Sequence, residues 1–522
     1  MRAFLAAVAV AAIGAPAQAA WYQASSAHFL IYSEQKPEIL RDFAVKLEKF
    51  DKAVRLVRNM EDLPLSYGNR VTIFVVENEK QVQRLANDKS GFIAGFYRGS
   101  AAGSVAFVPR VSRAISQTRP YTGSRINGSA KIDGGMSPDT VLLHEYSHHL
   151  MLQELASPFP EWLVEGFAEV MSTAQFEKDG TVGLGLPAFH RYYGLLQGRP
   201  LPLETLLSGR KDTFTVEERE SVYGRGWLMS HYLTFEPSRK GQLDAYVSAI
   251  AKGVDPLEAA RKAFGDLKQL ERDLDKYLHR PKLQYVRVSG SALTPGPIEV
   301  TQLNPAGAAV LPMLIELKSG LHANAAEDLS QRVRAIEASY PRDVLVETTL
   351  AEAELKAGHE PAAEAAADRA LKTNPRSTDA MILKGRAMIE RARKAHNPPP
   401  LAFIEARKWF SRANEIDAED PEPLMEFYLS FLHAGVWPTA NAIAALHYAS
   451  DLAPQDSGLR INSAVQYLRD GKLKEARAAL IPIAYDPHQK QAAATALLMI
   501  AGIDSGDSKA AEKAAEAGFE SR

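Results

Sequence analysis

The feature that most constrains the fold is a regular spacing of proline and glycine in the second half of the chain. The prolines stand 34, 46, 33 and 33 residues apart, at positions 341, 375, 421, 454 and 487. Glycines recur where a pair of helices would turn, at positions 320, 358, 435, 471 and 506. A period of about 34 residues is typical of stacked helix–turn–helix units. The sequence therefore predicts an all-α solenoid over residues 306–522.

One unit of this region carries small and apolar residues at the positions typical of a known repeat. These residues are Leu350, Gly358, Ala363, Ala370 and Pro375. The region resembles the tetratricopeptide repeat family, and the resemblance implies an extended helical surface that could bind a protein partner or a peptide. The longest proline spacing contains ARKAHNPPPLA, an insertion that we expect to lengthen one turn.

The start of the chain has the pattern of an export signal. A cationic Met-Arg start precedes an apolar stretch, Phe4–Ala15, and the small-x-small sequence Ala17–Ala19 follows. This pattern predicts a cleavable signal peptide over residues 1–19, cut after Ala19, and hence a periplasmic or secreted protein. No other segment reaches the roughly 18 apolar residues of a membrane span, so we expect no transmembrane segment in the mature chain.

Composition excludes several classes of function. The chain has 522 residues, enough for two or three domains, with Lys+Arg 61 against Asp+Glu 63 and no large basic block. Nucleic acid is therefore not an expected partner. The chain contains no cysteine, which removes thiolate nucleophiles, iron–sulfur clusters and cysteine-based zinc sites. Any bound metal must be held by His, Asp and Glu.

The first half of the chain differs from the second in composition and in its predicted secondary structure. HFLIYSE, RVTIFVVEN and AGSVAFVPR read as strands, because they are short, rich in β-branched and aromatic residues, and bounded by turn signals. A helix is expected from Glu38 to Arg58, and a polar loop over residues 111–136. A mixed α+β domain is predicted over residues 20–285. The Pro/Gly/Ser-rich stretch 286–305 is predicted to be the linker to the repeats.

A helix that follows the polar loop carries an unusual cluster of polar side chains. Ser137 followed by Pro138 predicts its start, and VLLHEYSHHLM follows. His144 and His148 are four residues apart and so project from one face. Two such imidazoles can bind one Zn²⁺ at about 2.0–2.1 Å, while Glu145 reaches the metal-bound water.

A second predicted helix, EWLVEGFAEV, supplies carboxylates downstream. Glu165 is the candidate for the third ligand of a two-His-one-Glu zinc site with an open fourth position. Glu169 lies one turn further on the same face and could accept a hydrogen bond from a ligating imidazole. Glu161 remains a spare carboxylate. The alternative is that Glu165 and Glu169 are carboxylates on the exposed face of an amphipathic helix.

These motifs together resemble a known group of enzymes. HEYSH at 144–148 followed by WLVEG at 162–166 resembles the gluzincin metallopeptidases, which include thermolysin and the aminopeptidases related to leukotriene hydrolase. The resemblance implies a thermolysin-like catalytic domain with one Zn²⁺ per chain and Glu145 as the general base. The order of the two halves is similar to that of bacterial exported peptidase-MA-like proteins with C-terminal tetratricopeptide repeats.

The resemblance extends to an oxyanion donor. The aminopeptidases carry a Tyr-x-x-Gly helix start after the third ligand, and in VYGRGWLMSHYL this place is filled by Tyr223 and Gly226. Tyr192 and Tyr193 in HRYYGLL are rival sources of the hydroxyl. Tyr223 could instead only pack or cap the start of its helix.

The resemblance also predicts how a peptide substrate is held. In this group an edge strand beside the active helix usually holds the peptide. The residues expected to bind substrate are Ala102, Gly103, Ser104 and Val105. The glutamate motif that recognises a free amino terminus is not visible upstream, so the expected activity is that of an endopeptidase.

Two further histidines are expected to be structural. His149 points about 100° away from His148 around the helix, so it is expected to contact a neighbouring loop. His231 is expected to pack or to form hydrogen bonds elsewhere.

A function of another class remains open. The chain could be a binding or assembly protein in which HEYSH holds a structural zinc and the repeats capture a partner or a peptide. The presence of Glu145 and Tyr223 favours the enzyme.

Overall fold

The computed structural model describes residues 20–62, 65–88, 93–110, 137–154, 159–191, 193–208, 214–320, 323–396, 399–484 and 489–520. The predicted signal peptide and the polar loop 111–136 lie outside the described residues. The described chain is mixed α+β up to about residue 302 and consists of successive helices from Pro305 onwards. This division into an α+β part and an α-helical part agrees with the prediction.

The described strands form two sheets. A six-stranded sheet has the order β4-β5-β3-β2-β1-β9, and a three-stranded antiparallel sheet has the order β6-β7-β8. In the larger sheet β2, β3 and β5 are parallel, and the other pairs are antiparallel. The strands are β1 Tyr22–Ser25, β2 Phe29–Ser33, β3 Val71–Val76, β4 Phe96–Arg98, β5 Ser104–Pro109, β6 Gln175–Phe176, β7 Val182–Leu184, β8 Val286–Val288 and β9 Glu299–Gln302.

Most helices of the first half belong to the main core on one face of the larger sheet. The helices of this half are α1 Pro37–Arg58, α2 Glu79–Leu85, α3 Pro138–Glu154, α4 Glu161–Ser172, α5 Leu203–Ser208, α6 Val216–Phe235, α7 Gln242–Ala251, α8 Pro256–Phe264 and α9 Leu267–Leu278. Among them, α2 packs Val82 on the opposite face. The long expected strands and the expected helix from Glu38 to Arg58 correspond to β2, β3, β5 and α1.

Both faces of the larger sheet are apolar, since its parallel strands are covered on both sides. In β2, Phe29 and Ile31 pack into the main core with α1, α3 and α4. The intervening Leu30 and Tyr32 pack on the opposite face with Leu311. Strand residues alternate between the two faces. The second face is therefore covered by α2 and by the first helix of the repeat region.

The structure corrects the prediction that residues 286–305 form a linker. Two strands lie within residues 286–305: β8 pairs with β7, and β9 extends the larger sheet beside β1. Most of this segment is therefore part of the first half's sheets. Pro, Gly and Ser density marked the turns correctly, but strands of three and four residues are too short to show a periodic pattern.

The second half is a succession of packed helices. They are α10 Pro305–Lys318, α11 Ala323–Ser339, α12 Val344–Ala357, α13 Glu360–Thr373, α14 Thr378–Lys394, α15 Pro400–Ile416, α16 Pro421–His433, α17 Ala440–Leu452, α18 Ser457–Arg469, α19 Leu473–Ala484, α20 Lys490–Asp504 and α21 Ser508–Glu520. The five glycines expected in turns all have positive φ. Gly358, for example, ends α12 in the left-handed conformation, which glycine adopts at little cost. The predicted turns are confirmed at these positions.

The repeats contact the first half at a second place, through the loop between α17 and α18. The Asp456 carboxylate accepts a hydrogen bond from the Ala101 backbone N–H at 2.9 Å, and Gln455 donates to the Ser104 hydroxyl at 3.2 Å. The repeats therefore touch the connection between β4 and β5. Among the described residues, no helix combines the length and the apolar character needed to cross a membrane.

Candidate metal centre

Helix α3 presents its two motif histidines inside the protein. The Ser137 hydroxyl accepts a hydrogen bond from the Thr140 backbone N–H at 3.1 Å, which caps the first turn as expected. Leu143 and Leu150 hold the helix in the main core. His144 is 6% exposed and His148 is 2% exposed. Such polar rings need partners when buried.

Helix α4 brings Glu165 to the same point, as predicted. The Nε2 atoms of His144 and His148 are 3.0 Å apart. Glu165 Oε2 lies 3.2 Å from His144 Nε2 and 3.5 Å from His148 Nε2. Together these three atoms form a nearly equilateral triangle on buried side chains.

This triangle fits a zinc ion. Bonds of about 2.0–2.1 Å at tetrahedral angles place ligand atoms roughly 3.3 Å apart, which matches the three separations. The donor set, two imidazoles and one carboxylate, is also one that zinc prefers. Of the described side chains, the other group with suitable donors is His28, Asp51 and Asp62.

Glu169 lies behind His144 and is held in place by two residues that the sequence reasoning did not single out. Its Oε1 is 3.3 Å from His144 Nδ1, on the ring edge away from the triangle. Arg191 donates to the same carboxylate from Nη2 at 2.6 Å and from Nε at 3.0 Å. His190 Nε2 lies 2.7 Å from its other oxygen. Glu169 therefore lies where a carboxylate behind a metal ligand would orient the imidazole, although His144 Nδ1 has no hydrogen-bond partner in this geometry.

The electrostatics of this cluster favour a positive charge at its centre. Burial acts to lower the pKa of His144, but its contacts with Glu165 and Glu169 outweigh burial and raise that pKa to about 10. Burial also acts on Glu169, yet the charge of Arg191 and the neighbouring histidines keep the pKa of that carboxyl well below its ordinary value. Two carboxylates directed at one imidazole stabilise a proton or a cation there.

Helix α6 places Tyr223 beside His144. A methyl group at Gly166 on α4 would collide with the carbonyl oxygen of Gly226 on α6, so glycine at both positions lets the helices cross in close contact. The Tyr223 ring centroid lies 6.2 Å from that of His144. Its ring also stacks under the Arg191 guanidinium, 4.4 Å from the centroid. The charge of Glu165, followed by burial, raises the pKa of Tyr223.

Glu145 lies on the half-buried side of α3. Its charge raises the pKa of both Tyr97 on β4 and Tyr223 on α6, although burial is the larger cause for Tyr97 and Glu165 is for Tyr223. Glu145 is therefore close to both tyrosines, between the edge of the sheet and α6. Glu145 also directly follows His144 in α3.

The structure corrects the expectation that the residues chosen for substrate binding, 102–105, belong to an edge strand. β5 pairs with β3 on one side and with β4 on the other, so it lies inside the sheet and β4 forms the edge. Ser104 is buried and hydrogen-bonded to Tyr97 at 2.9 Å and to Gln455. β4 was missed because three residues between glycines give no strand pattern.

The remaining predicted residues have definite places. His149 Nδ1 is 2.7 Å from the Tyr97 hydroxyl, so it contacts the neighbouring strand β4 and not the loop that was expected. His231 donates to the Gly185 carbonyl and contacts the Tyr277 hydroxyl, and burial lowers its pKa to about 4. Glu161 lies in the first turn of α4. Tyr193 is exposed, and Tyr192 lies outside the described residues.

Comparison with known proteins assigns little. No protein-family model matches the sequence, and no curated protein matches it significantly. One solved structure, a thermophilic TPR protein of Thermus thermophilus, matches 36% of this chain and 94% of its own length. The identity is 20% and the TM-score is 0.30. A likeness of that extent assigns no function.

One signal for the missed residues was present in the sequence. His190 and Arg191 belong to HRYYGLL, which drew attention only for its tyrosines. A buried carboxylate such as Glu169 needs a cation or several donors. Basic residues shortly after the third-ligand helix were therefore candidates to hold it.

Proposed function

We propose that this protein is an exported zinc-dependent peptidase, acting in the periplasm or outside the cell after loss of residues 1–19. The observation that carries the proposal is the triangle of His144, His148 and Glu165, whose sides of 3.0–3.5 Å suit one tetrahedral zinc. Two helices present these atoms from a buried position. The gluzincin-like sequence order supports the same reading.

The zinc ion and the residues of the chain have separate roles in the proposed reaction. When bound, zinc supplies a Lewis acid and lowers the pKa of a coordinated water to about 7. Glu145 is the general base: it accepts a proton from the attacking water and returns it to the leaving amine. Its side chain is half-buried, which leaves part of its surface open to an approaching substrate.

Tyr223 is the oxyanion donor of this proposal. Its hydroxyl is protonated at neutral pH, as in an ordinary tyrosine, and the charge of Glu165 together with burial raises its pKa further. A protonated phenol can donate a hydrogen bond to the negative oxygen that develops on the scissile carbonyl. The Arg191 guanidinium stacked on its ring keeps Tyr223 in position.

Substrate binding is assigned to β4 instead of β5. β4 is the edge strand, and Tyr97 at its centre is hydrogen-bonded to His149, next to a metal ligand. An extended peptide can add to a sheet edge through backbone hydrogen bonds. This mode needs no free amino terminus, which agrees with an endopeptidase.

A second candidate function is partner binding by the repeats with little or no catalysis. It is favoured by large apolar side chains exposed on the helical half, among them Trp437 at 65% and Leu498 at 63%. Exposed aromatic and aliphatic groups of this kind are common at protein interfaces. In this case zinc would stabilise the first half and Glu145 would have no chemical role.

The deciding experiment compares the wild type with Glu145→Gln on a diverse peptide library, both loaded with zinc. The substitution keeps shape and metal but removes the base, so cleavage should fall by roughly 10²–10⁴-fold. Glu161→Gln, a change of the same type in the spare carboxylate, should retain wild-type activity. A zinc-loaded wild type that cleaves no peptide would replace the peptidase with the partner-binding function.

A further inference from the structure

A pocket of about 370 Å³ lies on the opposite side of α4 from the metal centre. It is bounded by α4, α6 and α7 and closed by the ends of α1 and α3. Its apolar lining comprises Met151, Phe159, Leu163, Phe167, Val170, Met171, Leu243, Val247 and Ala251. This volume and lining are those of a small-molecule site.

The lining of this pocket includes one cationic side chain, that of Arg58. The Arg58 guanidinium lies 5.7 Å from the centre of the Phe167 ring. Its Nε is buried without a hydrogen-bond partner, and no ion pair joins Arg58 to another described residue. Burial lowers the pKa of Arg58, and the charge of Asp244 only partly opposes this effect. Arg58 as a whole is half-buried, and a guanidinium in this state can gain from an added anion.

The pocket has a polar inner end and an open mouth. Ser230 on α6 is 4% exposed, and its hydroxyl is buried without a partner. Thr234, one turn further along α6, is exposed, as are Asp244 and Ser248 on α7. A ligand can therefore enter past α7 and extend toward the crossing of α4 and α6.

We propose that this pocket binds a single-chain carboxylate, an amphiphile of the fatty-acid type, with its carboxylate on Arg58 and its chain among the apolar side chains. A guanidinium binds a carboxylate through two parallel N–H···O hydrogen bonds. A neutral apolar molecule would leave Arg58 without an anion, and a highly polar anion would find few partners in this wall. An apolar cavity with one cation therefore fits an amphiphile that has one carboxylate and one apolar chain.

The proposed site is independent of the peptidase. Leu163 and Phe167 face the pocket, while Glu165 and Glu169 face the metal centre from the other side of the same helix. Binding can therefore be measured without reference to catalysis or to zinc.

The experiment titrates the full mature chain with decanoate and, separately, with decanol, below the concentration at which either aggregates, by calorimetry. Decanoate should bind to the wild type with a defined stoichiometry. Arg58→Gln should weaken decanoate by about ten-fold or more, because a charge-assisted pair is lost, and should leave decanol unchanged. Asp244→Asn should tighten decanoate, since it removes the opposing charge.

Two further variants separate this site from non-specific adsorption. Val247→Trp fills the cavity and should abolish binding of both molecules, with folding checked by the melting temperature. Arg412→Gln is the matched control, because the Arg412 guanidinium also lies over an aromatic ring, 4.8 Å from the centre of Trp409, but on the surface. It should bind decanoate as the wild type does. Absent binding, equal binding of decanol, or unchanged binding in Arg58→Gln would overturn the proposal.

Discussion

Two groups of histidine and carboxylate side chains lie a short way apart in the first half, and each has the donors for a metal ion. One is His144, His148 and Glu165, and the other is His28, Asp51 and Asp62. In the first, the three donor atoms are 3.0–3.5 Å apart and all three residues are buried. In the second there is one imidazole, and the Asp62 side chain is 45% exposed.

The position of the nearest arginine separates the two groups. Arg55 is bound directly to Asp51, at 2.9 Å from Nε to Oδ1, so a permanent cation already neutralises one of the three donors. Arg191 is instead bound to Glu169, behind the ring of His144. In the His28 group, Arg55 is bound directly to a candidate metal donor, as in a structural ion-pair network. In the proposed zinc centre, Arg191 is bound to Glu169 behind His144, at a distance from the ligand atoms.

Each group also has its own tyrosine, and the two tyrosines differ in the same way. Tyr146 is buried and donates to Asp51 Oδ1 at 2.7 Å, which ties α3 to α1. Tyr223 is half-buried and lies beside His144. The Tyr146 hydroxyl is used within the fold, whereas the Tyr223 hydroxyl is the proposed oxyanion donor.

Removal of the Tyr223 hydroxyl should therefore affect catalysis, and removal of the Tyr146 hydroxyl should affect stability. Tyr223→Phe should lower the rate of peptide cleavage by roughly 10²–10³-fold, as for a lost oxyanion donor, with zinc content and substrate binding nearly unchanged. Tyr146→Phe should retain the rate per folded molecule and lower the free energy of unfolding, by about 1–3 kcal/mol. Steady-state kinetics and denaturant unfolding of both variants test this contrast. Tyr193→Phe is the kinetic control, and a collapse there with full activity in Tyr223→Phe would move the donor role.

The carboxylate behind His144 should tune metal affinity. Glu169→Gln removes the charge that orients the ring, so zinc affinity should fall by about 10–100-fold. Glu48→Gln, the matching change beside His28, should leave zinc affinity unchanged. Competition with a chromophoric chelator measures both constants. Equal affinities in the two variants would contradict the difference drawn between the groups.

The smallest expected effect is on the pH dependence of stability. His28 faces Glu48, Asp51, Asp62 and Arg55; burial acts to lower its pKa, but Glu48 and Asp51 raise it above 6.5 overall. A histidine pKa that is higher in the folded state stabilises the protein fully below the unfolded value. That contribution is lost as the pH rises through the folded pKa.

His28→Gln should therefore be destabilised most at and below about pH 6.5, where the protonated imidazole is paired with its carboxylates. The difference from the wild type should shrink at higher pH. Denaturant unfolding between pH 5.5 and 9 measures it. A difference that grows with pH would mean that His28 is neutral in the folded protein.

Local signals in the sequence were sufficient for the longer elements and for the three residues that form the triangle. β2, β3 and α1 combine length with a clear period, and the turn glycines of the repeats follow one spacing. His144, His148 and Glu165 were identifiable because two of them share one helix face and the third follows in a short motif.

Long-range pairing is what the sequence could not show. β4 is a three-residue strand that pairs with the nearby β5, whereas β8 and β9 have three and four residues and are strands only because partner strands far along the chain bind them. The same holds for Arg191, whose link to Glu169 depends on how the chain returns after α4. The inner position of β5 also follows from the pairing of β4 and not from any property of residues 102–105.

The most direct test of the central claim is metal analysis of purified mature protein. The wild type should hold about one zinc per chain, because three ligands converge from two helices. The double variant His144→Ala, His148→Ala should hold none, while His28→Ala should still hold about one. Stoichiometric zinc in the double variant, or its loss in His28→Ala with His144 and His148 intact, would contradict the assignment of the metal to α3 and α4.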